Sequence, residues 1–273
     1  MMQVNRSGYY AYRKNGLCQS KKEDILLTGM AKESWEQSGR IYGYRKVHQD
    51  ILFQGKHCSR HRIAKLMRSA GFRAEIGYKK RRFTSSSASA ICAANNVLDR
   101  QFAAESPNKA WVTDITYIRT YEGWLYLAVV LDLFSRKVVG WSMDSRMDSS
   151  LVVQALQSAV SRRRPMEPVL VHSYQGSQFT GHEWASLLRS HNLQASMSRR
   201  GNCLDNAVVE SFFQLLKREK IRRKIYKNRE DARKDIFEYI EMFYNPKRRH
   251  SKTNYMSPAD YEKQFISEVS DCL

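Results

Sequence analysis

Two carboxylates and one ammonium group carry the densest chemistry in this chain. Asp114 stands inside Trp111-Val112-Thr113-Asp114-Ile115-Thr116-Tyr117-Ile118, a run of β-branched and aromatic residues that predicts a strand. A carboxylate in a largely buried strand is costly unless something compensates it. On the residue alone two readings stand, a hydrogen-bonded core Asp or a metal ligand. Glu210 falls on a helix predicted to begin at Asn206, whose Val209, Phe213 and Leu216 imply packing on a sheet. Lys217 lies two turns further along the same face. A strand carboxylate and a helix carboxylate facing each other across a sheet edge can share a divalent ion. Mg²⁺ takes oxygen ligands and keeps some waters, and phosphate oxygens complete its shell. Two such ions activate a water or a 3′-hydroxyl and stabilise the leaving oxygen in phosphodiester exchange. Lys217 would then sit where a phosphate passes.

The elements that must position these groups can be read along the chain. Trp124 to Asp132 and Lys137 to Met143 are two more strand candidates, and Tyr121-Glu122-Gly123 is a hairpin turn. Ser149-Ser150 is expected to cap a helix running to about Arg162. Pro168 to His172 is a short strand, Gly181 to His191 a helix and Ala195-Ser196-Met197 another short strand. Ser198 to Asp205 is a polar loop, and the helix from Asn206 is expected to reach about Arg222. Antiparallel strands followed by alternating helix and strand predict a mixed α/β sheet with helices on both faces. One more helix, Arg229 to Phe243, is expected to stop at Pro246.

Before the strands the chain differs in kind. Residues 1–40 read as charged helix. Tyr44, Val47 and Ile51 share one helical face, and Ser59 can cap a second helix from Arg60 to Ala70. Arg60, Arg62, Lys65 and Arg68 lie off the apolar face of that second helix. Two short helices, a Gly-containing turn and a basic second helix predict a helix-turn-helix-like segment over 41–74. His48, His57, Cys58 and His61 match no common zinc spacing. Lys79-Lys80-Arg81-Arg82 and the Ser-rich run after it read as a linker, either a solvated hinge or a segment that tracks phosphates. The divisions expected are a helical DNA-binding region over 1–76, a basic flexible linker over 77–103, a core over 104–222 and a helical basic tail over 223–273. In that tail Arg248, Arg249 and His250 either grip phosphates or are merely solvated.

Charge distribution supports nucleic acid as the partner. The chain has 273 residues and a net charge of +19. Residues 1–100 carry 20 Lys/Arg against 7 Asp/Glu, residues 101–210 carry 11 against 10, and residues 211–273 carry 15 against 10. Two basic flanks around a near-neutral middle fit polyanion binding around a different kind of module. Five scattered cysteines fit a reducing compartment. No apolar signal region and no run of about 18 apolar residues stands in the sequence. A cytosolic, chromosome-associated protein with no membrane contact is expected.

The chain resembles the transposases of bacterial insertion sequences in the retroviral-integrase superfamily, in particular the second-frame (OrfB) products of the family named for insertion sequence three. Ser7-Gly8-Tyr9-Tyr10, Tyr42-Gly43-Tyr44-Arg45 and the Asp114 strand carry the resemblance, with Leu131-Asp132-Leu133-Phe134-Ser135-Arg136 and His172 to Gln178. Gly201 to Ala207, Glu210-Ser211-Phe212-Phe213, Tyr244-Asn245, Arg248 and His250 complete it. The resemblance implies a ribonuclease-H-like integrase core with a mixed five-stranded sheet and flanking helices. It implies Mg²⁺ (or Mn²⁺), terminal inverted repeats and target DNA as substrates, and oligomers of the chain on DNA. It also implies an upstream-frame partner (OrfA), with which the near-terminal position of Ser7-Gly8-Tyr9-Tyr10 agrees.

That family carries an Asp-Asp-Glu triad with 35 residues between the last two. Asp114 matches the first member, Glu210 the last, and Lys217 the family's basic residue seven positions on. The middle Asp falls at position 174, which is Tyr174 here, between family-like His172-Ser173 and Gln175-Gly176. A phenol ionises near pH 10, so a neutral Tyr is a poor Mg²⁺ ligand. One metal site is expected to be crippled and the other weakened, and neither Glu167 nor Glu183 is placed to substitute. The resemblance therefore implies a transposase subunit of low or absent activity as written. The alternative is a non-catalytic DNA-binding inhibitor or captured regulator; a nuclease of the same core fold would leave the basic N-terminal third surplus.

Overall fold

The computed structural model describes residues 5–15, 17–77, 94–199 and 202–271. Its chain divides into two compact units, Met1–Glu75 and Ile76–Leu273.

The first unit is helical: α1 (Arg6–Asn15), α2 (Gln19–Gln37), α3 (Tyr44–Phe53) and α4 (Arg60–Ser69). Val47 and Ile51 of α3 are fully buried with Ile63 and Met67 of α4, against Leu27, Ala31 and Trp35 of α2. The i, i+4 spacing of each pair makes the apolar stripe that holds these three helices together. Ser59 caps α4 by accepting from the Arg62 N–H, as its sequence position predicts. Gly55 turns the chain out of α3 at φ 78°, a conformation L side chains avoid. Trp35 stacks on Phe72 and donates its indole N–H to the Arg73 carbonyl, which ties down the chain after α4.

The second unit is built on β1 (Ala110–Thr120), β2 (Gly123–Asp132), β3 (Val138–Asp144), β4 (Val169–Ser173) and β5 (Leu193–Met197). The sheet order is β3-β2-β1-β4-β5. The first three strands are antiparallel, while β4 joins β1 and β5 joins β4 in parallel. This is the ribonuclease-H-like arrangement. Helices α5 (Ser149–Arg163) and α6 (His182–Ser190) cover one face; α7 (Ala207–Glu219) and α8 (Arg229–Phe237) cover the other. Strand alternation divides the side chains between the faces. Leu125, Leu127, Val129 and Leu131 meet α7 and α8, and Ala128 and Val130 meet α5.

Five details differ from the sequence expectation. The cap of α5 is Asp148, which accepts from the Leu151 N–H, rather than Ser149 or Ser150. Helix α7 ends at Glu219, and a short 3-10 turn, Ile221–Arg223, follows it. The helix from Arg229 changes at Glu238 into a π-helical stretch, Glu238–Tyr244. Residues beyond 222 are no appendage: Tyr226, Ala232, Ile236, Tyr239, Ile240 and Tyr244 are buried in one cluster with Val112, Leu127 and Phe212. A final helix, α9 (Pro258–Asp271), is also present. Its Glu262 is buried and pairs with Arg163 and Lys137, and accepts from the Ser135 hydroxyl.

Candidate active site

Asp114 lies midway along β1, with the same parity as Val112, and so faces the side covered by α7. One oxygen, Oδ1, accepts from the N–H of the next residue, Ile115, at 2.8 Å. Burial pushes its carboxyl up to about 7, the neighbouring Glu210 pushes the same way, and the Ile115 bond and Lys217 pull against them. Desolvation dominates, and Glu210 and Lys217 are both near enough to act on this carboxyl.

Helix α7 brings Glu210 and Lys217 there. Val209, Phe212, Phe213 and Leu216 are buried against the sheet, which fixes the rotation of the helix. At its N-terminus Asn206 donates from Nδ2 to the Thr113 carbonyl, 3.3 Å away, and so ties the start of α7 to the residue before Asp114. Glu210 is half-buried. The Lys217 ammonium lies 4.9 Å from the centre of the Tyr117 ring, a cation–π distance.

Tyr174 follows the last residue of β4. Strands β1 and β4 pair in parallel as Ala110↔Leu170, Trp111↔Val171 and Val112↔His172. The pairing stops there, so Tyr174 lies just past the end of β4, the strand next to the one that carries Asp114, and it is 38 % exposed. Glu167 pairs with Lys109, and Glu183 accepts from Ser149, so neither acid serves this position. Among the described residues no three His, Cys, Asp or Glu side chains converge into a metal-holding group.

Two residues inside the quoted motifs hold this site in place without having been assigned a role from sequence. His172 is fully buried, between the Ser196 hydroxyl (2.8 Å from Nδ1) and the Ser198 hydroxyl (3.0 Å from Nε2). Ser196 Oγ already accepts from the Val97 and Leu98 N–H groups, so its own proton goes to Nδ1. Nε2 then carries the hydrogen and donates to Ser198. Burial lowers the imidazole pKa to about 4, with Asp205 opposing. Asp205 is buried and accepts from Arg199, Arg100 and Asn96, which hold its carboxyl below the usual range. It anchors the polar loop that leads into α7. Its position one residue before Asn206 was the available signal: a carboxylate in a loop with a neighbouring Arg.

Comparison with known proteins decides the family. Residues 104–203 and 210–266 match families described as Integrase core domain, and residues 21–82 match one described as HTH-like domain. The chain is 42% identical over 246 residues to the transposase for insertion sequence element IS904 of Lactococcus lactis, covering 90% of this chain and 96% of that protein. It is 38% identical over 271 residues to transposase InsF for insertion sequence IS3A of Escherichia coli, covering 98% and 93%. The chain belongs to the IS3 family of transposases. Among solved structures it is similar to the HTLV-2 integrase catalytic core domain in complex with magnesium, at 17% identity and a TM-score of 0.45, over 58% of this chain and 98% of that one.

The basic residues expected to meet DNA in this IS3-family chain divide sharply. Arg60, Lys65 and Arg68 are exposed on α4. Arg62 instead turns back onto α2, with Nε 2.7 Å from Asp24 and Nη1 3.2 Å from Glu23. Its acidic partners lie 38 and 39 residues away, beyond any local pattern. Arg248 is buried, and its guanidinium meets Glu219 at 2.6 and 2.7 Å, so it grips no phosphate here. Arg249 donates to the Tyr255 carbonyl, and His250 Nδ1 accepts from the Lys252 N–H. Lys79, Lys80, Arg81 and Arg82 lie outside the described residues. The His48 ring bonds the Cys58 carbonyl at 2.8 Å and so clasps the α3–α4 turn. No helix among the described residues is long and apolar enough to cross a membrane.

Proposed function

We propose that this transposase binds the terminal inverted repeats of its element and the target DNA, and that its core is organised for Mg²⁺-dependent strand cleavage and joining but is impaired at one residue. The observation that carries the reading is that Asp114 feels both Glu210 and Lys217 of the helix packed over its strand, with Tyr174 at the end of the neighbouring strand. Two carboxylates form an oxygen donor set that fits a divalent ion (Mg²⁺ or Mn²⁺); burial is the main cause of the raised Asp114 pKa and Glu210 adds to it, and a cation would relieve both. Asp114 and Glu210 would hold it. Bound there, it would supply Lewis-acid activation of phosphodiester oxygens. Lys217 draws a phosphate toward the acids, and the rigid seat of α7 on the sheet keeps Glu210 in position. Tyr174 offers a phenol where a third carboxylate would complete the set, so binding is weak and the chemical step slow.

DNA is engaged through exposed Arg60, Lys65 and Arg68 of α4, and Lys79, Lys80, Arg81 and Arg82 add phosphate-binding charge. The working form is an oligomer on DNA, joined with or fused to the upstream-frame product, in the bacterial cytoplasm at the nucleoid. A second reading is favoured by Tyr174 itself: a DNA-binding inhibitor or captured regulator that dispenses with catalysis. Cleavage and joining of the element's ends, assayed with the fused form in Mg²⁺ and then Mn²⁺, separates the two. Activity confined to Tyr174→Asp supports the impaired transposase. Equal activity in both forms overturns the role given to Tyr174. Silence in both, with end binding intact, establishes the regulator.

A further inference from the structure

Beyond the acids, the far end of the β1–β2 hairpin presents aromatic rings to solvent. Tyr117 is 57 %, Trp124 44 % and Tyr121 76 % exposed. The Tyr117 and Trp124 rings meet edge to face, centroids 5.1 Å apart at 85°. They flank an open cavity of about 630 Å³ whose floor includes Ile221 and Tyr226. Backbone pairing of Tyr226 with Thr120 and Tyr121 fixes that floor to the hairpin. Arg119, Lys217, Arg222 and Lys224 line the same cavity, and the Lys217 ammonium sits over the Tyr117 ring.

Single large apolar side chains are exposed elsewhere in this unit, such as Met166 and Ile225; what sets these rings apart is that two of them touch and share one concave surface with cations. Here rings and cations alternate around a concave surface, the combination that holds unpaired nucleic acid: bases stack on the rings and phosphates meet the cations. Duplex DNA offers no free base faces, so the rings select a strand whose bases are unstacked. Position narrows the choice further. Tyr117 is three residues along β1 from Asp114, about 10 Å at strand rise, and that odd offset turns its ring to the other face of the sheet; Lys217, which lies over the ring and acts on Asp114, joins the two around the edge of β1 that β4 leaves unpaired beyond Val112. That distance spans only a few nucleotides of one strand. Self-association through this face would bring the four cations against their copies, which opposes a two-fold interface.

We propose that the Tyr117–Trp124 surface binds unpaired bases of a DNA strand immediately next to the phosphodiester positioned at Asp114 and Glu210. This rests on the DNA-transposition reading above and adds to it that the strand is opened beside the acids. Stacking on Trp124 and Tyr117 holds the opened bases, while Arg119 and Arg222 meet the backbone.

The test uses the full chain and an element-end duplex with a short unpaired overhang carrying 2-aminopurine, beside a blunt duplex of the same sequence. Stacking quenches the probe. Quenching is expected with the wild-type chain, lost in Trp124→Leu and Tyr117→Leu, and kept in Trp124→Phe. Affinity for the overhang should fall roughly five- to a hundredfold in the Leu variants, while blunt-duplex affinity stays unchanged. Equal quenching in all variants overturns the proposal. So does an unquenched probe in a wild-type chain that binds the blunt duplex. A Leu variant whose sedimentation changes without DNA would make the surface a subunit interface and also overturn it. Failure to bind the blunt duplex would instead overturn the DNA reading itself. Tyr121→Ala, at the exposed turn, gives a variant whose folding is not at risk and should weaken overhang binding in the same direction.

Discussion

Arg248, in the chain after the π-helical stretch, reaches Glu219, the last residue of α7, and both side chains are almost completely buried. Its Nε and Nη2 lie 2.7 and 2.6 Å from the two carboxylate oxygens, and the Tyr239 hydroxyl donates to the same Glu219 at 2.7 Å. A buried pair of this kind fixes geometry more than it adds net stability. Here it locks the end of the helix that carries Glu210 and Lys217 to the C-terminal segment.

Removing one partner leaves the other charge buried and uncompensated. Arg248→Ala should therefore cost about 3–5 kcal/mol. Arg248→Ala with Glu219→Ala should cost less than the sum of the two single changes. Urea unfolding of the four proteins measures the coupling, and additive effects would contradict it.

His172 makes stability depend on pH. Its native pKa is lowered from 6.5 to about 4, so the unfolded chain binds the proton more readily. The contribution is complete above about pH 6.5 and is lost as pH falls through about 4. Displacement by one pH unit is worth about 1.4 kcal/mol, so the whole effect is roughly 3 kcal/mol. His172→Asn should remove this rise of stability with pH between these limits and leave the opposite trend that Asp114 contributes. A profile as steep as that of the unaltered protein would remove His172 as the cause.

On α4, neighbouring arginines should behave differently. Arg60→Ala, Lys65→Ala and Arg68→Ala should each weaken binding to element ends and lower the salt slope by about one. Arg62→Ala should leave the slope unchanged and lower the melting temperature of the chain, because its partners are Asp24 and Glu23. Titrations at several salt concentrations distinguish a lost phosphate contact from a lost α2–α4 bridge.

Gly140 allows β3 to lie against α5. A Cβ there would come within 2.3 Å of the Ala155 carbonyl oxygen and 2.7 Å of the Ala159 methyl. Backbone cannot yield as a flexible side chain does, so Gly140→Ala should cost at least about 1–3 kcal/mol. Denaturant unfolding reads this directly, and a neutral effect would mean that the strand can move off the helix.

The elements that carry the two acids were legible in the sequence because each follows a strong local pattern: Asp114 in a β-branched run that is β1, Glu210 on an amphipathic helix that is α7. The sheet followed from the same patterns. Arg248 was not legible, because Lys247-Arg248-Arg249-His250 after Pro246 looks solvated and its partner is 29 residues upstream. The π-helical stretch also escaped detection, since Tyr239, Ile240 and Tyr244 read equally well as an α-helical face. Asp148 was missed by one residue, where adjacent Ser149 is an equally good capping type. What local patterning lost in each case was a long-range partner or a single-residue shift.

Asp114 gives the sharpest test of the donor set. Its native pKa of about 7 lies above the usual 3.8, so the native state holds the proton more tightly than the unfolded chain. That contribution to stability is complete below about pH 4 and is lost as pH rises through about 7. Metal competes with the same proton, because a coordinating carboxylate must be ionised. Mg²⁺ should therefore raise the melting temperature more at pH 8 than at pH 6. Tyr174→Asp, by adding a third carboxylate beside the first, should enlarge the rise, and Asp114→Asn should abolish both it and the Asp114 share of the metal-free pH dependence, leaving the opposite slope from His172. Thermal melts across pH with and without Mg²⁺ measure all of this. A rise of equal size in Asp114→Asn would place the ion elsewhere.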